Sequence, residues 1–180
     1  MSFDIQQELK NDQVQLIPLQ ASDFEALYQV ASDPEIWKQH PTPDRYKREV
    51  FSKFFEGAIE SKGAFLIIDR KSGDIAGSTR FYRYDEEASV ILIGYTFYAT
   101  RFWGTGFNPM VKALMMDYAF QFVDTIQLEV GGHNRRSQIA VERLGAKKIR
   151  EEMVAYYGEE QKLNFVYAIS RETYQQQKGS

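Results

Sequence analysis

The loop from Trp103 to Asn108 has the residue types that bind an anion. An apolar strand-like run, residues 90–97, precedes it, and apolar residues with helical spacing follow it. Gly104 and Gly106 would let a ligand approach the backbone closely. Asn108 is a suitable helix N-cap, and Pro109 suits a first helical position that needs no N–H. The pattern predicts free N–H groups and the positive end of a helix dipole around a phosphate or pyrophosphate.

Two common phosphate loops do not fit this segment. A nucleoside-triphosphate loop needs Gly-Lys followed by Ser or Thr before the helix, and the chain has no such sequence there. A dinucleotide loop needs a third glycine where Pro109 stands, and an acidic residue at the end of a second strand. A nucleotide-binding domain is therefore disfavoured.

The loop resembles the acetyl-CoA loop of the GNAT acetyltransferases, Gln/Arg-x-x-Gly-x-Gly/Ala. Residues 101–106 match that form literally, and residues 103–108 match a Trp-Gly-x-Gly variant. The variant occurs in the branch of ribosomal-protein N-terminal (RimJ/RimL-like) acetyltransferases. We prefer this second register because it places the loop against Asn108 and aligns Ile-Gly-Tyr at residues 93–95 with that branch.

A second block supports the resemblance. Residues 134–146, which begin Asn-Arg-Arg-Ser and end Leu-Gly-Ala, resemble the Asn-x-x-Ser…Leu-Gly-Phe/Ala segment of that branch. Asn108 with Lys112 also resembles a subgroup that has Asn-x-x-x-Lys at this place. The resemblance extends over residues 63–170, and the order of its blocks is more specific than the loop alone.

Composition limits the other functional classes. The 180 residues suggest a single domain, 1–180, and the net charge of −3 does not favour nucleic acid. There is no cysteine, so disulfides, thiolate catalysis and cysteine zinc sites are excluded, and His40 and His133 lack metal-ligand spacing. We expect no metal. No apolar run is long enough to span a membrane and no signal peptide is evident, so we expect a cytoplasmic location.

The chain predicts an α/β (α+β) fold with a mixed, mostly antiparallel sheet of about seven strands flanked by helices. The resemblance implies the GNAT fold, in which the central strands splay apart and the pantetheine arm lies in the gap. We expect the polar tail, residues 171–180, to be frayed at its end. Strands are predicted at residues 14–19, 64–69, 75–84, 88–98, 125–131, 147–157 and 161–170, with a last hairpin around Gly158. Helices are predicted at residues 22–30, 34–37, 45–61, 109–123 and 134–144.

The resemblance implies acetyl-CoA as cosubstrate. It assigns the pyrophosphate to the amides of residues 104–108 and the pantetheine arm to Phe97, Tyr98 and Asn134, while Trp103 could cover the cosubstrate. The alternative for Asn134 is a plain helix cap. The complete predicted set is Phe97, Tyr98, Trp103, Gly104, Thr105, Gly106, Phe107, Asn108 and Asn134.

The catalytic residues are less well defined. Ser137 matches a serine that related enzymes place near the cosubstrate sulfur, where a hydroxyl would stabilise the leaving thiolate. Related enzymes often have Glu just before Ile-Gly-Tyr, but this chain has Leu92, which cannot accept a proton. Glu129 and Glu87 are the remaining candidates for a general base, although carboxylates on such strands are more often solvated. A water chain could serve instead.

Two functions remain. The first is an N-acetyltransferase that moves an acetyl group from acetyl-CoA to a primary amine by direct attack in a ternary complex. The alternative is an acyl-CoA-binding or sensor module with little or no turnover. The acceptor, a protein N-terminus or a small-molecule amine, would meet the variable N-terminal helices and the last hairpin, and a homodimer is a family-based expectation. Aromatic residues that could line its groove or pack at its rim are Trp37, Tyr82, Tyr84, Tyr156 and Tyr157.

Overall fold

One open sheet carries the whole fold. The computed structural model describes residues 2–155 and 159–179. In these residues the sheet has eight strands in the order β1-β2-β3-β4-β5-β6-β8-β7. The strands are β1 (Leu9–Lys10), β2 (Val14–Pro18), β3 (Ala64–Asp69), β4 (Ile75–Asp85), β5 (Val90–Tyr98), β6 (Thr125–Gly131), β7 (Lys147–Ala155) and β8 (Gln161–Ser170). The two-residue β1 is additional to the seven strands that the sequence predicts.

Six α-helices flank the sheet within the described residues. They are α1 (Phe24–Ala31), α2 (Pro34–Trp37), α3 (Arg48–Ser61), α4 (Phe107–Ala119), α5 (Arg135–Arg143) and α6 (Arg171–Lys178). In α4, buried Val111, Met115 and Ala119 follow one another at four-residue intervals, so one face of the helix packs on the sheet. No helix in the described ranges is long and apolar enough to cross a membrane.

The central strands part at one end, as the resemblance implied. All neighbouring strands are antiparallel except β5 and β6, which run parallel. Their pairing extends only from Val90–Thr125 to Leu92–Gln127. Beyond that pair β5 continues to Tyr98 and β6 to Gly131 without pairing to each other. The mixed, mostly antiparallel sheet and its splay are therefore confirmed.

A bulge in β5 begins just beyond the last paired residue. Arg80 faces Gly94 and Ser78 faces Phe97, so β5 has one residue more than β4 in this interval. Tyr95 lies inside the bulge with a φ of 53°, a conformation that is strained for a residue with a side chain. The guanidinium of Arg80 lies 3.7 Å from the centre of the Tyr95 ring and helps to hold it there.

The sheet has an apolar core on each face. One core packs α4, α5 and α6 against the central strands. The other packs α1, α2 and α3 and is rich in aromatic rings, because Phe51 and Phe54 of α3 pack against Phe97, and Phe54 also contacts Trp37. Both cores meet the end of β5, so the splayed strand is held from two sides.

One local prediction is wrong: Asn108 does not cap α4, because the helix begins at Phe107 and Gly106 occupies the cap position. One helix was not predicted: α6 in the polar tail is capped by Ser170, and the hydroxyl of buried Tyr174 donates to Asp117 Oδ1 at 2.7 Å. Tyr156, Tyr157 and the turn at Gly158 lie outside the described residues, so the expectations for them remain predictions.

Candidate active site

A cleft of about 560 Å³ lies where β5 and β6 separate. Residues 93–98 of β5 form one wall, and residues 128–131 of β6 form the other. The glycine loop and the first turns of α4 close one side, and α5 closes another. Ile36 of α2, together with His40, Pro41 and Arg45 of the segment between α2 and α3, also lines the cleft.

The glycine loop turns its backbone toward the cleft. Gly104 and Gly106 have φ values of 70° and 82°, and a Cβ atom on either would meet no atom within 4 Å. Both glycines line the cleft, directly before the N-terminus of α4. Free backbone N–H groups and the helix dipole thus face open space that an anion could occupy.

The loop side chains divide into two groups. Trp103 and Asn108 line the cleft, as do Phe97 and Tyr98 of β5. The other two predicted loop residues do not line it: the hydroxyl of Thr105 donates to the Phe102 carbonyl at 2.6 Å, and the Phe107 ring packs 4.7 Å from the Phe102 ring. The side chains of Thr105 and Phe107 therefore brace the loop.

The amide of Asn108 has a defined orientation. Its Oδ1 accepts hydrogen bonds from the Tyr98 hydroxyl at 2.6 Å and from Lys112 Nζ at 3.3 Å. Two donors fix this atom as the oxygen, which leaves the NH2 group of the amide to donate elsewhere. Burial raises the pKa of Tyr98 far above its usual value, so this donor keeps its proton at physiological pH.

Trp103 connects the glycine loop to α5. Its indole N–H donates to the Tyr98 carbonyl at 3.2 Å, and the Arg136 guanidinium lies 3.7 Å from the ring centre. Arg136 in turn donates to the Ile36 carbonyl at 3.5 Å. The Trp103 ring is therefore held between β5, on one side of the cleft, and α5, which follows β6 on the other side.

Lys112 is a buried amine in the cleft lining. The residue is 4% exposed, and Nζ donates to Thr96 Oγ1 at 3.0 Å as well as to Asn108. Both acceptors are neutral, and no carboxylate of the described residues pairs with the amine. Burial lowers the pKa of Lys112 to about 7. The sequence motif identified Lys112, but only the fold explains why its charge is unusual.

Asn134 and Ser137 lie together at the start of α5. Asn134 Oδ1 accepts the Ser137 backbone N–H at 3.2 Å, so the predicted helix cap is confirmed. Asn134 is buried, Ser137 is half-buried, and both line the cleft. Their predicted contacts with the cosubstrate remain predictions.

Glu129 is a buried carboxylate and not a solvated one. Its side chain is 2% exposed, and Oε1 accepts from the Tyr82 hydroxyl at 2.9 Å and from Arg83 Nη1 at 3.0 Å. Oε2 is buried and accepts no hydrogen bond from the described residues. Burial raises the pKa of Glu129, Arg83 and Tyr82 oppose that effect, and the nearby Glu152 carboxylate adds to it.

The other carboxylate candidate does not reach the cleft. Glu87 is exposed in the turn between β4 and β5. Leu92, at the position where relatives often have Glu, is 5% exposed and sits in the last residue pair before the strands part. Neither residue lines the cleft. Glu129 is thus the predicted candidate that the fold brings into it.

The aromatic candidates separate in the same way. Tyr82 lines the cleft and donates to Glu129. Trp37 is fully buried in the aromatic core, and its indole N–H donates to the Ala31 carbonyl at 2.8 Å. Tyr84 is partly exposed and packs edge-on against Phe3, so it lies at the rim of the core that α4 forms with the sheet.

An ion pair that the sequence did not reveal closes the wall beside His40. Arg45 Nη2 donates to both carboxylate oxygens of Glu159 at 2.8 Å, and Thr42 bonds to the same carboxylate. Burial, with Arg45 and Arg136 nearby, lowers the pKa of His40 to about 3, so its imidazole is neutral at physiological pH. Within the described ranges, no group of three or more His, Cys, Asp or Glu side chains could hold a metal ion.

Comparison with known proteins identifies the family. Residues 13–147 match the sequence model of the acetyltransferase (GNAT) domain, and this segment is well over half of the chain. The chain belongs to the GNAT acetyltransferase family. A search of curated proteins gives no match.

Solved structures share the fold at low sequence identity. A GCN5-related N-acetyltransferase from Brucella melitensis is 20% identical, with a TM-score of 0.81 over 94% of this chain and 81% of the other. RimJ from Mycobacterium smegmatis, in complex with CoA-disulfide, is 17% identical, with a TM-score of 0.68 over 88% and 82%. Spermidine N-acetyltransferase from Vibrio cholerae, in complex with CoA and spermine, is 16% identical, with a TM-score of 0.65 over 92% and 99%. At these identities the comparison establishes the fold alone.

The burial of Lys112 gives a prediction about stability. An unfolded lysine binds its proton below a pKa of about 10.5, whereas folded Lys112 binds it only below about 7. Between these values the unfolded state binds more protons, so burial of Lys112 destabilises the fold, most strongly at and below pH 7. We expect Lys112→Met to raise the free energy of unfolding at pH 7 by about 3 kcal/mol, allowing for two lost hydrogen bonds of ~1 kcal/mol each.

Thermal unfolding of both proteins at pH 7 and pH 9.5 measures this effect. The gain should shrink to near zero at pH 9.5, because the cost of deprotonation on folding then falls to about 1.4 kcal/mol and the two lost hydrogen bonds offset it. A lower melting temperature for Lys112→Met at pH 7 would contradict the assignment, since the hydrogen bonds of the amine would outweigh its desolvation.

Proposed function

We propose that this protein is an N-acetyltransferase that transfers an acetyl group from acetyl-CoA to a primary amine. The observation that carries the proposal is that one cleft contains both the glycine loop, where an anion could bind, and the buried carboxylate of Glu129. The GNAT family match supports acetyl-CoA as the cosubstrate. The chain contains no cysteine to carry an acetyl group, so we infer direct attack of the amine in a ternary complex.

The cleft has the features that acetyl-CoA needs. Gly104 and Gly106 leave open space before the helix, which suits the pyrophosphate. At Phe97 and Tyr98, the edge of β5 that faces β6 has no partner strand, and this edge, with the buried amide of Asn134, suits the hydrogen-bonding groups of a pantetheine arm. Bound in this way, acetyl-CoA would supply an activated thioester. The residues of this chain would hold the thioester in position and transfer the protons.

Glu129 is our candidate for the group that binds the acceptor amine and takes a proton from it. Its buried Oε2 is free to accept a hydrogen bond from an ammonium group in the cleft. Its pKa, raised by burial, makes the carboxylate a better proton acceptor than a solvated one. In our proposal Glu129 takes one proton from the ammonium group, the amine nitrogen bonds to the acetyl carbon, and the carbon–sulfur bond breaks. The second proton passes from the nitrogen to the departing sulfur, so that CoA leaves as the free thiol. The Ser137 hydroxyl donates a hydrogen bond to the leaving thiolate.

One observation favours the alternative of an acyl-CoA-binding or sensor module. Leu92 occupies the position where related enzymes often have a glutamate, and it is buried in the sheet. If Glu129 does not take over that role, the cleft would bind acyl-CoA with little turnover.

We also infer a cytoplasmic location, where acetyl-CoA is made and used. The family resemblance leads us to expect a homodimer.

The test is a titration of the purified protein with acetyl-CoA, followed by measurement of free thiol after addition of amines. The panel contains peptides with free N-termini, because of the branch that the loop resembles, together with spermidine, spermine, amino sugars and amino acids. Binding with thiol release establishes the enzyme. Binding without release from any amine supports the sensor, and absence of binding refutes both.

Gly106→Trp tests the anion loop. The indole would project into the open space before α4, so we expect at least a tenfold loss of acetyl-CoA affinity. Gly73→Trp is a matched control, because Gly73 has a φ of 79°, also faces open space and lies in the turn between β3 and β4. Both variants carry the same backbone strain of roughly 1–2 kcal/mol. Equal affinities in calorimetric titrations of the two variants would exclude the loop as the binding site.

Glu129→Gln tests the base. The amide can still accept from Tyr82 but cannot take a proton, so we expect kcat to fall by about 100-fold or more at pH 7. In the native enzyme, kcat should rise with pH as the carboxylate loses its proton, above the usual pKa of 4.5, and the variant should lose this limb. Glu87→Gln, in the exposed turn, is the control with the same loss of charge. Normal turnover by Glu129→Gln would assign the proton to water.

Ser137→Ala tests the stabilisation of the thiolate. The cap of α5 uses the Ser137 backbone N–H and is kept, so the fold should not change. We expect kcat to fall about tenfold, the cost of one lost hydrogen bond to a developing charge, with acetyl-CoA affinity nearly unchanged. Ser137→Thr retains a hydroxyl and should recover part of the rate. If steady-state kinetics give equal kcat values for Ser137→Ala and the native enzyme, Ser137 has only a structural role.

A further inference from the structure

The position of Lys112 makes it unusual among the cations of this chain. It lies one turn of helix beyond Asn108, and its Nζ bonds to that residue in the first turn of α4. The amine is buried, lines the cleft and has only neutral acceptors. A buried charge without a counter-charge is costly, and the nearest open volume is the one that we assign to an anion.

No carboxylate in the described part of the chain forms an ion pair with Lys112. On β4, Thr79 bonds to Thr96 and not to the amine, and on α4 the flanking Met115 and Met116 are apolar and buried. The titratable neighbour on β5 is Tyr98, which burial keeps protonated and neutral. Desolvation is the only cause of the lowered pKa of Lys112.

The other ionisable groups of the cleft belong to different elements. Glu129 is on β6, and its pKa is raised from an acidic value. His40 is neutral above a pKa of about 3, Arg45 is paired with Glu159, and the Arg136 guanidinium lies over the Trp103 ring. Arg143 of α5 also lines the cleft. We therefore expect Lys112 to be the cleft residue that changes its charge between pH 7 and pH 9 in the free protein.

We propose that Lys112 is the counter-charge of the anionic acyl-CoA cosubstrate and that it takes up a proton as this cosubstrate binds. The inference rests on the proposed function, because it assumes that acyl-CoA occupies the cleft. Before binding, the amine shares its hydrogen bonds with Thr96 and Asn108 and is largely neutral above pH 7. The phosphates bring negative charge to the adjacent loop, which favours the ammonium form and raises its proton affinity.

Linkage gives the sign and the size of the effect. A group that binds a proton more tightly in the complex than in the free protein makes the affinity fall as the pH rises. For a pKa that rises from about 7 to about 9 on binding, we expect acetyl-CoA affinity to fall about tenfold between pH 7 and pH 8.5. We expect an uptake of more than half a proton per bound cosubstrate at pH 8.

Isothermal titration calorimetry of the native protein with acetyl-CoA tests this directly. Titrations at pH 6.5, 7.5 and 8.5, each in two buffers with different ionisation enthalpies, give the protons taken up. Acetyl-CoA has no free thiol, so its sulfur does not titrate. Binding that is independent of pH, with no proton uptake at pH 8, would overturn the inference and leave the acetyltransferase proposal intact. Failure of acetyl-CoA to bind at any pH would instead refute the proposed function.

Lys112→Met locates the proton. The variant should lose the linkage: its affinity should change less than twofold over the same pH range, and it should bind more weakly than the native protein at pH 6.5. Lys71→Met, in the exposed turn between β3 and β4, removes one positive charge far from the cleft and should retain the full effect. Glu129→Gln should also retain it between pH 7.5 and 8.5, which separates the two buried groups.

Two further outcomes would overturn the inference. One is an undiminished proton uptake by folded Lys112→Met, which would assign the proton to another group. The other is acetylation of Lys112 itself, seen as a mass increase on its peptide after incubation with acetyl-CoA, because the amine would then lie at the reacting carbonyl and not at the anion. The native protein provides the linkage measurement even if the variant does not fold.

Discussion

The cleft depends on the early end of pairing between β5 and β6. Hydrogen bonds join the two strands only as far as Leu92 and Gln127, and beyond that point each strand has one edge without a partner strand. Backbone N–H and C=O groups are costly to bury without partners. In this fold the bulge at Tyr95 and the two aromatic and aliphatic cores hold the separated strands in place. A ligand with amide groups along its length can supply the missing hydrogen bonds, and this is the role that we propose for the pantetheine arm.

The same separation explains the two unusual ionisable groups. Lys112 on α4 and Glu129 on β6 both line the gap, and both are largely removed from water. Desolvation disfavours the charged form of each, so it lowers the pKa of the lysine and raises that of the glutamate. Both values therefore move toward neutrality from opposite sides. Groups that exchange protons near neutral pH are characteristic of sites that bind charged ligands or catalyse proton transfer.

Sequence reasoning identified the loop, the cap at Asn134 and, through the family resemblance, the splay. It named Glu129 as a candidate base but favoured a solvated carboxylate there, because residue 129 alternates with apolar Leu128 and Val130 and has the period of a solvent-facing position. Its burial results from Tyr82 of β4, which crosses the gap to reach it, and that contact depends on how far the strands separate. Helix α6 was missed for a similar reason, since only the contact of Tyr174 with Asp117 shows that the polar tail is anchored.

The cleft is also divided by charge. Its loop end has a helix N-terminus, Lys112 and Arg136, which favour an anion, whereas Glu129 offers a cation its only buried carboxylate oxygen without a partner among the described residues. The wall beside His40 depends on the ion pair of Arg45 with Glu159, a contact between the segment before α3 and the start of β8. Glu159 lies beyond the segment that matches the family, residues 13–147. The proposed cosubstrate loop therefore lies within the segment that matches the family, while this wall of the cleft depends on a long-range contact that reaches beyond it. For this reason the family match supports our proposal for the acetyl donor more closely than it supports any particular amine.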